Sequence, residues 1–502
     1  MTVTEERSYI EAARREKLRE LEQRGIQAFA YRFERTHTSA QALAAFEDDR
    51  EVSVAVAGRI LSIRDLGKST FMHVGDRDGR IQLYVQRNVL GDERYQVLKL
   101  LDISDHIGVR GVLFRTRAGE VTVRVTELEL LSKSLRPLPF GKIDADGNVH
   151  GGLTDPEARY RQRYADLAVH PEVRELFVLR ARIISYIRRF LDDLGFVEVE
   201  TPVLQPIHGG AAARPFVTHH NALDTDLYLR IADELYLKRC IVGGLEAVYE
   251  IGHDFRNEGI DRLHNPEFTM LEYYQAYADY EDMMRLLEDL LSGLVRHIAG
   301  TTKLERFGQV IDLTPPWARK SYVALVQEHA GVDILSAPDD RLRALLHGEE
   351  EELDEMARTK LIDEIFSEYV EPHLIQPTIV QDYPIEISPL AKPKRGNPKL
   401  TERFELYVDG AELANAFSEL NDPDDQRRRF EGQLAARDAG DDEAHVLDED
   451  YVRALEYGLP PTGGLGLGID RVVMLLAEKR SIREVILFPS LRPETDDDEA
   501  DG

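Results

Sequence analysis

The sequence predicts an α+β protein, in which a small N-terminal β-barrel precedes a larger domain with a mostly antiparallel sheet flanked by helices. Short stretches of alternating apolar and polar residues, separated by Gly and Asp turns, fill residues 52–131. From about residue 160, long helical patterns alternate with strand-like stretches, without the regular strand–helix–strand repetition of a parallel sheet. A chain of 502 residues with 43% hydrophobic content can form two or three domains.

The charge, hydropathy and cysteine content of the sequence indicate where the protein works and what it can bind. Lys and Arg number 63 against 92 Asp and Glu, and the net charge of -29 argues against broad nonspecific attraction to nucleic acid, so any RNA contact must be local. The first thirty residues lack a secretory signal pattern, and no run reaches the roughly 18 apolar residues that a membrane-spanning helix needs. Together with a single cysteine, Cys240, these features predict a cytoplasmic protein without a membrane partner.

Changes in composition and residue pattern along the chain predict five segments. A helical extension, in which basic residues mix with glutamates, comes before the barrel. A linker rich in Pro and Gly leads into the large domain, and an acidic run at the end is typical of a disordered tail. In order, the predicted segments are 1–50, 51–135, 136–165, 166–493 with a helical insert at about 301–377, and 494–502.

A strand–loop–strand stretch in the large domain carries a cation, carboxylates and an aromatic ring. On strand alternation, Arg256 and Glu258 share one face, and Phe268, Glu272 and Tyr274 share a face of the return strand. Such a face can hold an anionic nucleotide, with arginine at a phosphate and the phenyl ring on a base. A surface hairpin of paired charges is the alternative interpretation.

A glycine-rich stretch, residues 463–468, runs from a strand without side chains into an apolar helix. Glycines allow a ligand to lie directly on the backbone. Arg471 falls at the start of the helix, where its side chain and the backbone dipole both favour an anion. A glycine strand that simply packs under a helix remains the alternative.

Between these stretches, Asp-Gly at 409–410 predicts a two-residue β-hairpin. Pairing Val408 with Ala411 places Tyr407 opposite Glu412 and sets Glu405 diagonal to Glu412 on the same face. Two carboxylates at that place can bind magnesium, which prefers oxygen ligands.

Strict alternation along the second strand of this hairpin turns Asn415, Phe417 and Glu419 to the face opposite Glu412. If both sets serve one site, the strand needs a β-bulge between Glu412 and Asn415. A bulge there would bring both sets of residues to one face.

The three stretches resemble the three signature motifs of class II aminoacyl-tRNA synthetases, and the chain as a whole is similar to bacterial lysyl-tRNA synthetases. Further strings that carry this resemblance are HGGL at 150–153, EARYRQRY at 157–164, FVEVETP at 196–202, with which the first motif ends, GGAAARPF at 209–216 and FPSLRP at 488–493. The resemblance implies a class II antiparallel sheet flanked by helices, a homodimer formed through the first motif, and an N-terminal OB-fold barrel that binds the anticodon of tRNA(Lys). In the barrel, Phe71, Gln82 and Glu127 match positions that contact anticodon bases.

The resemblance also implies roles for residues of the large domain. Arg256 and Arg471 match the catalytic arginines, and Arg256 is expected to hold the α-phosphate and the substrate carboxylate. Phe268 and Arg471 are expected to enclose adenine. The implied ATP contacts are Arg256, Glu258, His264, Phe268, Glu412 and Arg471; the implied Mg²⁺ ligands are Glu405 and Glu412; the implied lysine contacts are Gly210, Glu234, Arg256, Glu272, Tyr274, Asn415, Phe417 and Glu419.

The implied activity is ATP-dependent activation of L-lysine, followed by its transfer to the 3′ end of tRNA(Lys). A substrate with two ammonium groups and one carboxylate needs more acid than base around it, as in the implied lysine contacts. Three alternatives are a synthetase for aspartate or asparagine, a paralogue that lysylates a translation factor, and a non-catalytic RNA-binding protein. The barrel argues against the paralogue, and Arg256, Glu258 and Arg471 argue against loss of catalysis.

Overall fold

A computed structural model of the chain describes residues 3–143, 149–348, 356–438 and 446–493. The chain divides into two compact units, Met1–Thr154 with Pro493–Gly502, and Asp155–Arg492. The structure thus groups residues 155–165, which the sequence assigns to the linker, with the large unit. Arg163 explains this grouping, because its guanidinium donates hydrogen bonds to the carbonyl oxygens of Leu487 at 3.0 Å and Arg483 at 2.9 Å. The predicted acidic tail, 494–502, lies outside the described residues.

The predicted small barrel is present in the first unit. Five strands close it in the order β1-β2-β3-β5-β4: β1 (Ser53–Asp65), β2 (Ser69–Gly75), β3 (Arg80–Gln86), β4 (His106–Arg115) and β5 (Val121–Ser132). Alternate side chains such as Ile60, Met72 and Leu83 fill the interior and are fully buried. The side chains between them, including Phe71 and Gln82, are turned outward.

Helices and a hairpin complete the first unit: α1 (Val3–Gln23), α2 (Ser39–Ala44), α3 (Arg87–Leu90), α4 (Asp92–Val97), and the pair β6 (Phe140–Ile143) and β7 (Val149–Gly152). The predicted N-terminal helix is therefore present as α1, and its Leu21 is buried in the core of the barrel. Thr38 caps the start of α2 through a capping box with Gln41. The hairpin of β6 and β7 lies within the predicted linker.

The strands of the second unit are β8 (Val197–Glu198), β9 (Leu204–Gln205), β10 (Val217–His220), β11 (Thr225–Leu229), β12 (Ala247–Phe255), β13 (Glu267–Ala276), β14 (Lys303–Arg306), β15 (Gln309–Asp312), β16 (Ala318–Ser321), β17 (Thr378–Gln381), β18 (Pro393–Lys394), β19 (Asn397–Thr401), β20 (Arg403–Val408), β21 (Ala411–Ser418) and β22 (Thr462–Gly468). Eight of them form one sheet in the order β16-β17-β20-β21-β22-β13-β12-β8. The prediction of a mostly antiparallel sheet is confirmed, because only the two edge pairs, β16 with β17 and β8 with β12, are parallel.

The helices of the second unit are α5 (Pro156–Arg161), α6 (Arg163–Val169), α7 (Pro171–Asp193), α8 (Glu234–Val242), α9 (Tyr280–Ala299), α10 (Tyr322–Ala330), α11 (Asp339–Arg343), α12 (Arg358–Tyr369), α13 (Pro423–Asp438), α14 (Glu449–Glu456), α15 (Ile469–Leu476) and α16 (Ile482–Val485). The apolar stripes of α7 and α9 pack on one face of the sheet. Asp279 caps the start of α9, and Gly300 ends it in the left-handed conformation. Within the described residues, no helix has the length and apolar character that crossing a membrane requires.

Strand alternation divides the sheet into a core face and a second face. Leu271 and Tyr273 of β13, with Leu465 and Leu467 of β22, are fully buried in the core against α7 and α9. The residues between them are turned to the other face, where α8 and α14 lie and where polar side chains collect. This second face carries the candidate site.

Candidate active site

A cavity of about 320 Å³ lies on the second face of the large sheet. Apart from Glu419, every residue predicted to contact ATP, Mg²⁺ or lysine lines this cavity: Gly210, Glu234, Arg256, Glu258, His264, Phe268, Glu272, Tyr274, Glu405, Glu412, Asn415, Phe417 and Arg471. The glycines of β22 form part of its floor. Residues separated by more than 250 positions in the chain therefore meet at one site, as Gly210 and Arg471 do.

Arg256 and Glu258 lie in a loop, because β12 ends at Phe255. The prediction that strand alternation places these two side chains on one face is therefore wrong. The main-chain N–H of Arg256 donates to the carbonyl oxygen of Pro266 at 2.8 Å and closes the loop. The central carbon of its guanidinium lies 5.1 Å from the centre of the Phe268 ring. Its buried Nε has no hydrogen-bond partner among the described residues. The loop thus presents an arginine with donor capacity left for an anion.

Arg471 lies in the first turn of α15 and connects three segments of the site. Its Nη1 donates to the carbonyl oxygen of Glu412 at 2.6 Å and lies 3.3 Å from the Glu412 carboxylate. Its Nη2 lies 3.3 Å from Nε2 of His264 in the loop after β12. A guanidinium at the start of a helix adds to the positive end of the helix dipole, so this corner favours an anion.

Asp470, the neighbour of Arg471, fixes the start of α15 to β13. Its carboxylate accepts hydrogen bonds from the main-chain N–H of Thr269 at 2.7 Å and from Arg180 of α7 at 2.5 Å. Arg180 also donates to the Thr269 hydroxyl at 2.9 Å. These hydrogen bonds fix the main chain of α15 next to Arg471 and so help to position the Arg471 side chain.

The predicted hairpin is confirmed, and it contains the β-bulge that would place both sets of residues in one site. Asp409 and Gly410 form the turn with positive φ angles of 56° and 72°, and Tyr407 pairs with Glu412. The register shifts after this pair, because Leu406 pairs with Ala414 and leaves Leu413 as the extra residue. The bulge therefore brings Glu412 and Asn415 to the same face.

Glu405 is buried among hydrogen-bond donors. Its carboxylate accepts bonds from Arg403 at 2.6 Å, Tyr407 at 2.6 Å and Tyr383 at 2.8 Å. Burial raises the pKa of Glu405; the Arg403 guanidinium opposes this rise, whereas the nearby Glu412 carboxylate adds to it. Glu405 and Glu412 thus form a pair of acids that repel each other at the cavity wall.

Glu371, which follows α12, joins this pair and was not predicted. The Tyr407 hydroxyl that bonds Glu405 also lies 3.4 Å from the Glu371 carboxylate. Burial raises the pKa of Glu371, a hydrogen bond from Ser367 opposes the rise, and Glu412 and Glu405 add to it. Three carboxylates therefore share one region, and the sequence gives little signal for the third because Glu371 lies in the helical insert.

The other end of the cavity holds a buried acid cluster. Carboxylate oxygens of Asp233, Asp254 and Glu272 all lie within 4.8 Å of one another. The Tyr274 hydroxyl donates to Glu272 at 2.8 Å, and Arg230 lies 3.2 Å from Asp254. Burial, reinforced by Asp254 and Glu234, raises the pKa of Glu272 to about 8. Burial, then Glu272 and Asp254, likewise raises the pKa of Asp233 well above its usual range.

Glu419 is buried beside Gly464, which lines the cavity, and forms an ion pair with Lys238 of α8, which also pairs with Glu234. Oε1 of Glu419 lies against Gly464 on β22, where an added Cβ would be only 2.1 Å away. That Cβ would also lie 2.3 Å from the Tyr274 ring. Glycine is therefore required at position 464 for the Glu419 carboxylate to reach this place.

Asn415 and Gly210 complete the wall between the two ends. The Arg403 guanidinium, which bonds Glu405, also donates to the side-chain oxygen of Asn415 at 3.1 Å. This bond orients the amide of Asn415. Gly210 has a φ of +92° and lies beside Glu234, so its backbone faces the cavity without a side chain.

On the barrel, Phe71 and Gln82 share the outer face of neighbouring strands. The Phe71 ring centre lies 4.7 Å from that of Tyr84, which lies 5.8 Å from that of Phe114. The Gln82 amide donates to Glu120 at 2.7 Å. Glu127 lies further along β5 and is paired with Arg110 at 3.6 Å. The structure thus extends the single predicted ring into a row of three.

Some site residues that were not predicted could have been found from the sequence pattern, and others could not. Tyr84 follows Gln82 by two positions in a predicted strand, so alternation alone places both on one face. Lys238 follows Glu234 by four positions, a spacing that most often indicates an exposed helical ion pair.

Two family models match the chain. The model described as tRNA synthetases class II (D, K and N) matches residues 155–492, which is more than half of the chain. The model described as an OB-fold nucleic acid binding domain matches residues 54–131, the strands of the barrel. These matches agree with the fold and with the position of the cavity.

Relatives match over nearly the whole length. The lysine–tRNA ligase of Moorella thermoacetica is 55% identical over 485 residues, 96% of this chain and 97% of its own length. That of Pelotomaculum thermopropionicum is 56% identical over 484 residues, 96% and 94% of the two chains. That of Bacillus subtilis is 51% identical over 489 residues, 95% and 96% of the two chains. The resemblance carried by the sequence motifs is therefore confirmed, and this chain belongs to the lysine–tRNA ligase family of class II tRNA synthetases.

Proposed function

We propose that this protein activates L-lysine with ATP, forming lysyl-adenylate and pyrophosphate, and then transfers lysine to the 3′ end of tRNA(Lys). The observation that supports this best is the division of one cavity into two ends. Arg256 lies against Phe268 and Arg471 follows Gly468 at one end of the paired strands β13 and β22, whereas Glu272 bonds Tyr274, which pairs with Gly464 towards the other end, and Glu234 lines the same cavity. A triphosphate suits the first end and a doubly aminated substrate suits the second.

The acid end determines the amino acid. Lysine brings two ammonium groups, which Glu234, Glu272 and Glu419 would neutralise, and one carboxylate, which the free donor of Arg256 would hold. Tyr274 and Phe417 line the same end and provide rings for the aliphatic part of the substrate. An aspartate substrate would place a second carboxylate among these acids, which is unfavourable.

At the other end, we assign ATP to the space between the loop after β12 and the start of α15. Phe268 and Arg471 supply a ring face and a planar cation for adenine, and His264 and Glu258 supply polar contacts. Arg256 would reach the α-phosphate. In this arrangement the bound nucleotide and the amino acid carboxylate share one arginine.

Magnesium fits the acids at the cavity wall. The Glu412 carboxylate raises the pKa of Glu405, and Glu412 and Glu405 both raise the pKa of Glu371, so a divalent cation beside these acids would relieve their repulsion. Their oxygen atoms are the ligands that Mg²⁺ prefers, and Glu405 and Glu412 would hold it. When bound, the ion neutralises negative charge on the phosphates.

The chemistry needs no nucleophilic side chain. A carboxylate oxygen of lysine attacks the α-phosphorus in line, and pyrophosphate leaves as the new P–O bond forms. Arg256 holds both reacting groups and stabilises the charge that develops on the phosphate oxygens. A ribose hydroxyl of the terminal adenosine of tRNA then attacks the carbonyl carbon of the adenylate, and AMP leaves.

The barrel, which we assign to residues 51–135, would bind the anticodon. Phe71 and the neighbouring ring of Tyr84 provide stacking surfaces for bases, and Gln82 and Glu127 provide groups for base edges. Residues 166–493 would form the catalytic domain. We further propose a cytoplasmic homodimer that associates through the first motif, which ends at residues 196–202.

Aminoacylation of purified tRNA(Lys) with radiolabelled lysine tests the proposal directly. We expect transfer that depends on ATP, and ATP–pyrophosphate exchange with lysine that exceeds exchange with aspartate or asparagine by orders of magnitude. Exchange that prefers aspartate or asparagine, or binding of tRNA without any exchange, would refute it.

A further inference from the structure

The two acids Glu234 and Glu419, both assigned to substrate lysine, already share a lysine of the protein. Lys238 extends from α8 and its ammonium contacts one carboxylate oxygen of each acid. Lys238 is 0% exposed, and Glu419 is 1% exposed. A buried ammonium requires such partners, because an unpaired charge in a low-dielectric interior is strongly unfavourable.

Aromatic rings enclose this ion cluster. The Lys238 ammonium lies 5.6 Å from the ring centre of Phe417, 5.9 Å from that of Tyr274 and 6.0 Å from that of Tyr451. The rings come from β21, β13 and α14, so three segments remote in sequence hold the cation in place. The position of its charge is therefore well defined.

The cluster is incomplete as it stands. Neither carboxylate oxygen of Glu419 accepts a hydrogen bond within the part of the chain that the structure describes; Oε2 forms the ion pair with Lys238, and Oε1 is buried. That oxygen lies over Gly464, which lines the cavity. Glu234 likewise uses Oε1 for Lys238 and lines the cavity itself. One further donor on the cavity side would satisfy these acceptors.

We propose that Lys238 is a positioning and specificity residue for lysine. Its ammonium holds one oxygen of Glu234 and one of Glu419, so that the remaining oxygens face an ammonium group of the substrate. This inference rests on the proposed function, because it takes lysine to be the bound amino acid.

Charge balance supports the assignment. Two carboxylates this close to each other in a buried site would share a proton if no cation lay between them. Lys238 lowers the pKa of Glu419, and when both acids are ionised the cluster carries one net negative charge. The substrate ammonium then neutralises it, whereas a neutral side chain of equal length would leave Glu419 unsatisfied.

The titratable or charged groups that face this cluster come from five elements. They are Glu234 and Lys238 of α8, Glu272 and Tyr274 of β13, Arg403 of β20, Glu419 at the end of β21 and Tyr451 of α14. Burial raises the pKa of Glu419 to about 8, Lys238 lowers it and Glu234 raises it. Removing the Lys238 charge must therefore raise the pKa of Glu419 further, and lysine would bind well only at higher pH.

Lys238→Met tests the inference, because methionine keeps the length of the side chain and removes the charge. The measurement is lysine-dependent ATP–pyrophosphate exchange from pH 7 to pH 9, with KM for lysine, KM for ATP and kcat determined separately. We expect KM for lysine to rise by at least about tenfold at pH 7, with KM for ATP and kcat changed by less than about twofold. The ratio of variant to parent KM for lysine should fall as the pH rises.

Lys392→Met is the matched control. Lys392 is half-buried in the same unit, and within the described residues the one hydrogen bond of its ammonium goes to the side-chain oxygen of Asn421, at 2.7 Å. This variant should leave KM for lysine unchanged. Lys238→Gln serves as a second uncharged variant that can still donate hydrogen bonds to both glutamates. If both uncharged variants fail to fold, Lys238 is structural and the inference is overturned.

The outcomes separate this inference from the proposed function. A parent protein without lysine-dependent exchange refutes the proposed function, whatever the Lys238 variants do. A parent with exchange and a Lys238→Met variant with unchanged KM for lysine overturns only the positioning role. A defect that is equal at every pH, or that affects KM for ATP and kcat alike, also overturns it.

Discussion

The guanidinium group of Arg256 lies over the ring of Phe268, with 5.1 Å between its central carbon and the ring centre. This contact joins the loop after β12 to β13 and leaves Nε of Arg256 without a hydrogen-bond partner among the described residues. The ring therefore holds the cation in place without using its donors. Those donors remain for a phosphate or a carboxylate.

We predict that Arg256→Ala lowers kcat/KM for lysine-dependent ATP–pyrophosphate exchange by at least about a thousandfold, because it removes charge stabilisation at the reacting phosphate. Arg256→Lys is the matched control. It keeps the charge but loses the planar pair of donors, so it should retain a small, measurable rate. Substantial exchange by the alanine variant would show that the assignment to the phosphate is wrong.

The pH dependence of stability should report the ionisation of Glu272. Burial raises its pKa from an ordinary value of 4.5 to about 8, so its contribution to stability is complete below pH 4.5 and is lost as the pH rises to 8. Glu272→Gln is neutral at every pH. Between pH 5.5 and pH 8.5 the free energy of unfolding should fall in both proteins. We predict that the fall is smaller in the variant than in the parent, by at least about 1 kcal/mol.

Thermal or denaturant unfolding at several pH values measures this difference. Glu456→Gln, at an exposed position of α14, should follow the parent curve. Saturating lysine should restore more stability at pH 8.5 than at pH 5.5, since an ammonium compensates the ionised acid. A Glu272→Gln curve parallel to the parent would contradict the burial of a protonated carboxyl.

Local pattern predicts the parts of this protein that depend on neighbours in sequence. The Asp409-Gly410 turn, the pairing of Tyr407 with Glu412 and the bulge at Leu413 all follow from turn chemistry and from the need to place two sets of residues in one site. The end of β12 does not follow, because the main-chain bond from Arg256 to Pro266 closes a loop where alternation alone would continue a strand.

Long-range packing determines what the sequence leaves open. Lys238 and Glu234 have the spacing of a surface ion pair. In the structure they are buried, because Glu419, which follows β21, packs against them and pairs with Lys238. Glu371 reaches the acids of the hairpin from the insert, where no motif marks it. Motifs therefore predict which residues matter at the site, whereas the tertiary fold determines their charge partners.

Gly464→Ala should disrupt the acid end of the cavity. The added Cβ would lie 2.1 Å from the Glu419 carboxylate and 2.3 Å from the Tyr274 ring, so both side chains must move. We predict a loss of about 1–3 kcal/mol in the free energy of unfolding and a higher KM for lysine than for the parent. Gly466→Ala, whose Cβ would be 3.7 Å from the nearest atom of Glu272, should unfold like the parent. Equal stability of the two variants would contradict the predicted close approach.

The magnesium requirement should depend on Glu412. Glu412→Gln keeps the shape of the side chain but removes one of the charges that would attract the cation. We predict that the Mg²⁺ concentration for half-maximal exchange rises by about tenfold, and that excess EDTA abolishes exchange by the parent. Glu478→Gln, at a position outside the cavity, is the control and should leave the requirement unchanged. An unaltered Mg²⁺ requirement in Glu412→Gln would remove this residue from the proposed ligands.

The row of rings on the barrel should act on tRNA and not on adenylate formation. Phe71→Ala removes one stacking surface, and stacking of one base contributes about 1–3 kcal/mol, so KM for tRNA should rise by about tenfold or more. Exchange without tRNA should stay at the parent rate, because the substitution leaves the cavity intact. Val89→Ala, which shortens an exposed apolar side chain on α3, is the matched control and should aminoacylate like the parent. Aminoacylation assays over a range of tRNA concentrations measure KM, and an unchanged KM for Phe71→Ala would mean that this face of the barrel does not contact the anticodon.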